Sequence, residues 1–293
     1  MNKSIIFALV LLWQGWLPAA AAAGTSADNR LSPGEHIAPV GDIRVWYRVE
    51  GQGEPVLLLH GGFGSADHWK KIAPILKSHF LLIEPDSRGQ GRTTGTDAPI
   101  TYGRMASDAV GLLDYLGIHS AHIIGHSDGG CTTLHLLVDF PDRLKSATLI
   151  GTPFNTDNYP PKVFEELQNA MRELRDGGDF AGLKARTTAL LPDPAYWPAL
   201  VDRLGATWLT EPKFSVGELG TIKTPVLVVR AGADQYLPAF VFDQLAAAIP
   251  NSRIIDFPKA THNVANEYPA ELAAGFTALA QAASPAASRR SGQ

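Results

Sequence analysis

Ala121-His-Ile-Ile-Gly-His-Ser-Asp-Gly-Gly130 is the stretch that decides the fold. Ala121 to Gly125 is a short apolar run that reads as a strand, and Gly129 to Phe140 has helical spacing and stops at Pro141. Between them lies Gly125-His126-Ser127-Asp128-Gly129, a G-x-S-x-G string. Its glycines permit a turn too tight for side chains. Such a turn lifts the Ser127 hydroxyl above the sheet edge and aims the helix N-terminus at it. In a chain with 28 glycines the string alone arises by chance, so its place between strand and helix is what gives it weight.

Outward from that turn, the chain alternates strands and helices. Upstream, Val40 to Glu50 alternates apolar and polar residues as an antiparallel hairpin does, with Gly41-Asp42 near the turn. Pro55 to His60 is a continuous apolar run, as in a strand covered on both faces. Ser65 to Lys77 predicts a helix with Trp69, Ile72 and Leu76 on one side, and Phe80 to Ile83 predicts a strand. Arg104 to Leu116 reads as a helix ended by Gly117. Downstream, Lys145 to Ile150, Pro225 to Arg230 and Arg253 to Phe257 read as strands, and Phe240 to Ile249 and Ala270 to Ala280 as helices. This order demands a three-layer α/β fold with a mostly parallel twisted sheet. Thr152 to Thr221 is the exception, with helical pieces at 163–175, 180–191 and 197–204 broken by prolines and no β run. It predicts a helical cap at about 154–221, inserted between core strands of a single domain spanning 24–293.

Composition narrows the functional class. The 293 residues are 45% hydrophobic and 18% charged, which excludes a disordered chain. A net charge of −4 gives no electrostatic reason to expect nucleic acid or an anionic membrane as partner. The single cysteine, Cys131, excludes an intrachain disulfide and a thiolate metal cluster, and reads as a small buried hydrophobe. Residues 1–23 read as an export signal: Lys3, an apolar run from Ile5 to Trp13, Pro18, and small residues Ala19 to Ala23 for cleavage. The run is shorter than the roughly 20 residues of a spanning helix. The expectation is therefore a periplasmic or secreted protein with no stable membrane span after cleavage.

A serine hydroxyl needs a base, and the base needs an orienting acid. On this fold the order along the chain is serine, acid, histidine. Of nine histidines only His262 lies downstream of the last plausible acid, in a loop after the final strand. Asp234, directly after the strand 225–230, is the first choice for the acid, and Asp157, after the preceding strand, is the second. Asp86 also ends a strand, but Arg88 and the neighbouring glycines make it a brace for its own loop. Two backbone N–H groups are needed for an oxyanion hole. Asp128 supplies one, and the other comes from the loop after His60, from Gly62 or alternatively Phe63.

With these residues in view, the chain resembles the α/β-hydrolase superfamily with a helical cap. The resemblance is carried by His60-Gly61-Gly62, Asp86-Ser-Arg-Gly-Gln-Gly91, Gly125 to Gly130, Ala231-Gly-Ala-Asp234 and His262. It runs from about Glu35 to Ala282. It implies a Ser127, Asp234, His262 triad and a cofactor-free hydrolase; the reading taken from the residues is a metal-free hydrolase of a small-molecule ester. Ser127 departs from the aspartate nucleophile of haloalkane dehalogenases and epoxide hydrolases. The same triad serves a lactonase or a carbon–carbon bond hydrolase, and some receptors on this fold keep it too.

Asp128 has two further readings: a carboxylate that holds a substrate amine, as in an amino-acid ester hydrolase or aminopeptidase, or a cap for the following helix. Phe63, Phe154, Trp197, Trp208 and Tyr236 are the candidate pocket aromatics, with the alternative that they hold the cap together. His60 and His126, beside the site, read as loop hydrogen-bonding residues.

Overall fold

A computed structural model describes residues 27–284. The segment read as an export signal lies outside the described residues. The eight strands are β1 (Gly34–Val40), β2 (Ile43–Gly51), β3 (Glu54–Leu59), β4 (Phe80–Pro85), β5 (Ala121–His126), β6 (Leu144–Ile150), β7 (Val226–Ala231) and β8 (Ser252–Phe257). They form one sheet in the order β1-β2-β4-β3-β5-β6-β7-β8. β1 and β2 pair antiparallel around Gly41-Asp42, β2 pairs antiparallel with β4, and every later pairing is parallel. The first hairpin strand begins earlier than its alternation suggested, at Gly34.

The longer helices are α1 (Tyr102–Leu116), α2 (Asp128–Asp139), α3 (Pro161–Arg175), α4 (Trp197–Thr210), α5 (Ala239–Ala248) and α6 (Pro269–Ala283). Successive strand residues point to opposite faces, and the core divides accordingly. Leu57, Ile123, Leu149 and Val228 pack under α1, α2 and α5. Val56, Leu58, Ile124 and Val229 pack on the other face with Trp69, Ile72, Leu76 and the α6 residues Leu272 and Phe276. This is the three-layer arrangement the alternation demanded. No described helix is long and apolar enough to cross a membrane.

Residues 65–77 depart from the expected single helix. They form a turn of tighter helix at Ala66–Trp69 and a separate short helix at Ala73–Leu76. Pro74 has no N–H to continue a helical ladder from the preceding turn, so the chain restarts there. Trp69, Ile72 and Leu76 are nonetheless all buried on one side.

Between β6 and β7 the chain leaves the sheet and runs through α3, α4 and short helical turns. A bridge between Asn155 and Lys213 ties the two ends of this insertion together. α4 buries Trp197, Leu200, Val201 and Leu204 in a third apolar cluster with Ile100 and Met105. The insertion therefore sits over the C-terminal edge of the sheet, where β5 ends just before Ser127.

Candidate active site

Ser127 takes φ 53° and ψ −115°, a positive φ that costs a residue with a Cβ and survives only where its surroundings fix it. Its N–H donates to the Ile150 carbonyl at 2.8 Å and its carbonyl accepts from Cys131 N–H at 2.9 Å. The turn closes because Gly129 sits on β3, where a Cβ would collide with the Leu59 carbonyl oxygen, and a Cβ on Gly130 would collide with Thr152. Ser127 thus stands immediately before α2, on a cavity of about 210 Å³.

His262 lines the same cavity. Its Nδ1 donates to Asp234 Oδ2 at 2.8 Å, which fixes the tautomer and leaves Nε2 with a lone pair. The Asp234 side chain is fully buried and cannot swing away. Its other oxygen accepts N–H bonds from Tyr236 at 2.9 Å and Leu237 at 3.1 Å. Asp157, the second choice for the acid, is exposed in the turn Thr156–Asn158; the acid bonded to His262 is Asp234.

The loop carrying His262 is pinned by its main chain. His262 N–H donates to Gln235 Oε1 at 3.3 Å, and its carbonyl accepts from His126 Nε2 at 2.8 Å. A carbonyl only accepts, so His126 carries its proton on Nε2. His126 stacks on His68 at 4.5 Å between ring centroids. Burial holds His126 well below the usual histidine range and pushes His68 down to about 3, so both rings are neutral. His60 is fully buried; its Nδ1 donates to the Gly61 carbonyl at 2.7 Å and its Nε2 accepts from Ser87 N–H at 2.9 Å. Asp86 braces its loop, taking Ala66 N–H at 2.6 Å and Arg92 N–H at 2.7 Å. Cys131 is buried, its Sγ against the Pro153 carbonyl.

Gly62 and Asp128 line the Ser127 cavity, whereas Phe63 lines an adjoining cavity of about 560 Å³. The Asp128 carboxylate is neither a helix cap nor unengaged. It accepts Tyr102 Oη–H at 3.0 Å, and Trp208 Nε1–H lies 2.9 and 3.0 Å from its two oxygens. Burial pushes Asp128 up to about 6, against the lowering effect of those two donors.

Of the candidate pocket aromatics, Trp208 and Tyr236 line the Ser127 cavity. Phe154 and Trp197 do not. Phe154 is buried in the main core, and Trp197 is buried in the insertion's own cluster, its ring 5.4 Å from that of Phe63. Tyr159 and Leu167 line the cavity and were not singled out from the sequence. Leu167 had a signal in the helical spacing of 163–175, but Tyr159 sits in an irregular turn with none. Among the described residues no group of three or more His, Cys, Asp or Glu side chains is placed to hold a metal ion.

A strand-turn-helix serine beside an Asp-bonded imidazole, at the C-terminal edge of a mostly parallel sheet, is the construction of a hydrolase. The family model described as alpha/beta hydrolase family matches residues 56–275, and the chain belongs to that family. Several of its relatives are named as hydrolases, and one, of Cupriavidus necator, 31% identical over 83% of this chain and 69% of its own, is named as the dihydrolipoyllysine-residue acetyltransferase component of an acetoin cleaving system. A protein of Azorhizobium caulinodans provisionally named carbamate hydrolase RutD is 28% identical over 76% of this chain and 89% of its own. A bifunctional esterase/perhydrolase of Acinetobacter calcoaceticus is 27% identical over 76% of this chain and 90% of its own. Among solved structures, a thermophilic esterase of Thermogutta terrifontis superposes with a TM-score of 0.70 at 23% identity, covering 85% of this chain and 98% of that one.

Proposed function

We propose that the protein is a serine hydrolase that cleaves small to medium carboxylic esters through an acyl-enzyme on Ser127. The observation that carries this is the 2.8 Å bond from His262 Nδ1 to the buried Asp234, on a ring that shares its cavity with Ser127. In the proposed reaction Ser127 Oγ attacks the ester carbonyl while its proton passes to His262 Nε2. Asp234 holds the imidazole in place and offsets its charge. The N–H groups of Gly62 and Asp128 receive the oxyanion. Collapse expels the alkoxide, which takes the proton from His262. A water, deprotonated by the same nitrogen, then releases the acid. The likeness to an esterase/perhydrolase supports ester chemistry. The two protein donors on the Asp128 carboxylate weigh against its holding a substrate amine.

A fluorophosphonate probe tests the reading, with the adduct mapped by mass spectrometry. The expected result is one adduct, on Ser127, lost in Ser127→Ala together with turnover of p-nitrophenyl acetate and butyrate. Labelling that persists in Ser127→Ala, or turnover of a lactone or β-diketone panel without turnover of esters, overturns it. We further propose that residues 1–23 direct export. The mature N-terminus of periplasmic or secreted protein is then expected near Gly24, and a cell-retained chain beginning at Met1 overturns that.

A further inference from the structure

Helix α3 carries Val163, Leu167, Ala170, Met171 and Leu174 at helical spacing along one stripe. Such a stripe ordinarily goes into a core. Here only Leu174 is buried and the other four are half-buried, because the stripe borders the cavity of about 560 Å³ rather than packed side chains. Phe63, Phe180 and Leu183 complete its apolar lining. Phe63 is held at φ 53°, with its ring edge-to-face on Trp208 at 5.5 Å.

This chamber adjoins the Ser127 cavity. Gly62, Leu167, Trp208 and Tyr236 line both. Trp208 is fixed between them: its only polar atom is bonded to Asp128, and a Cβ on Gly62 would collide with its ring. What Trp208 offers a ligand is therefore apolar ring surface. The polar groups on the chamber are the Tyr236 hydroxyl, Gln235 and Glu166, and Glu166 is well exposed and pairs with Lys162 at 3.6 Å. Among the described residues no lysine, arginine or histidine lines the chamber, so an anionic occupant would lie there without a charge partner.

We propose that this chamber is a binding site for the uncharged, medium-length acyl arm of the ester substrate. The arm leaves the reacting carbonyl at Ser127, passes the edge of Trp208 and lies against the α3 stripe. The substrate class is then a neutral medium-chain acyl ester. The inference rests on the ester-hydrolase reading above and deepens it. Each methylene moved from water into an apolar chamber strengthens binding by about fourfold.

The test is a p-nitrophenyl ester series from acetate to octanoate on the native enzyme, Ala170→Trp and Val163→Trp, each variant putting an indole into the chamber. In the native enzyme kcat/KM is expected to rise by about tenfold or more along the series, mainly through KM. In each variant the octanoate-to-acetate ratio should fall by about tenfold or more. Folded variants that turn over acetate and keep the native chain-length profile overturn the chamber assignment and leave the Ser127 reading standing. A length dependence found only when the alcohol side is varied also overturns it. Should both variants fail to fold, inactivation of native enzyme by ethyl and octyl fluorophosphonates decides: faster inactivation by the octyl probe supports the chamber, and equal rates overturn it. No adduct and no turnover of any ester overturns the Ser127 reading, and the chamber assignment with it.

Discussion

Asp128 follows a residue whose backbone is strained at φ 53°, and it is in its own right a costly residue to bury. What it gains is a pair of donors, Tyr102 from α1 and Trp208 from α4, so one carboxylate fastens the insertion to the elbow. Its acidity records the balance: about 6 in the folded chain, against 3.8 for a free aspartate. A raised folded value means stability is fully present below the unfolded value and is lost as pH rises through the folded one. Two units correspond to about 3 kcal/mol. Asn cannot ionise, so Asp128→Asn is expected to gain about 3 kcal/mol relative to the native protein between pH 4 and pH 8. Urea denaturation of both proteins at the two pH values measures this, and a pH-independent difference contradicts it. Asp128→Ala should be worse than Asn at every pH, because it leaves a buried hydroxyl and an indole N–H unpaired, at about 1–3 kcal/mol.

The elements differ in how plainly the sequence announced them. β5 and α2 were legible because hydrophobic periodicity changes from a strand's to a helix's across Gly125 to Gly129, and at the flanking positions 125, 129 and 130 a Cβ would collide with its neighbours. The meeting of Asp234 and His262 was legible from chain order, since each follows a strand at the same sheet edge. The break at Pro74 was missed because burial periodicity runs on through it while the hydrogen-bond ladder does not. The sequence left open whether Phe154 and Trp197 line a pocket or pack a core, because an aromatic in an insertion carries no label for the face it packs on; here both are buried away from the Ser127 cavity. The two insertion helices show the difference. α4 buries a full stripe, whereas α3 buries only Leu174 and leaves its apolar face on a cavity. Few buried contacts mean a low cost of local opening. Backbone amides of 161–175 are therefore expected to exchange hydrogen at least about tenfold faster than those of 197–210. After labelling of Ser127 with a long-chain fluorophosphonate, protection should rise in α3 selectively. Equal exchange in the two helices contradicts the unequal packing.

At the scale of the whole molecule, burial has collected titratable groups whose effects on stability oppose one another. His60, His68, His122 and His126 are all held below the usual histidine value by burial. Glu84, Asp108 and Asp128 are all pushed up by burial, Glu84 to about 7. The histidines stay neutral in the folded chain and take protons once it unfolds, so each removes stability as pH falls below about 6.5. The raised carboxylates act in the reverse sense, holding protons in the folded chain that the unfolded chain releases. Between pH 6.5 and 5 the two sets oppose one another, and because four histidines face three acids a net loss of stability on acidification is expected. Glu84 still loses its proton in the folded chain around pH 7, so the contribution of these groups levels off only above about pH 8. His68→Phe keeps a ring against His126 and removes one of the four, so it should lower the acid-side slope by about one proton. Unfolding free energies by urea at half-unit steps from pH 5 to pH 8.5 test both statements. A stability maximum on the acid side of pH 6 would show that the carboxylates dominate. An unchanged slope in His68→Phe would show that His68 takes up its proton in the folded chain as readily as in the unfolded one.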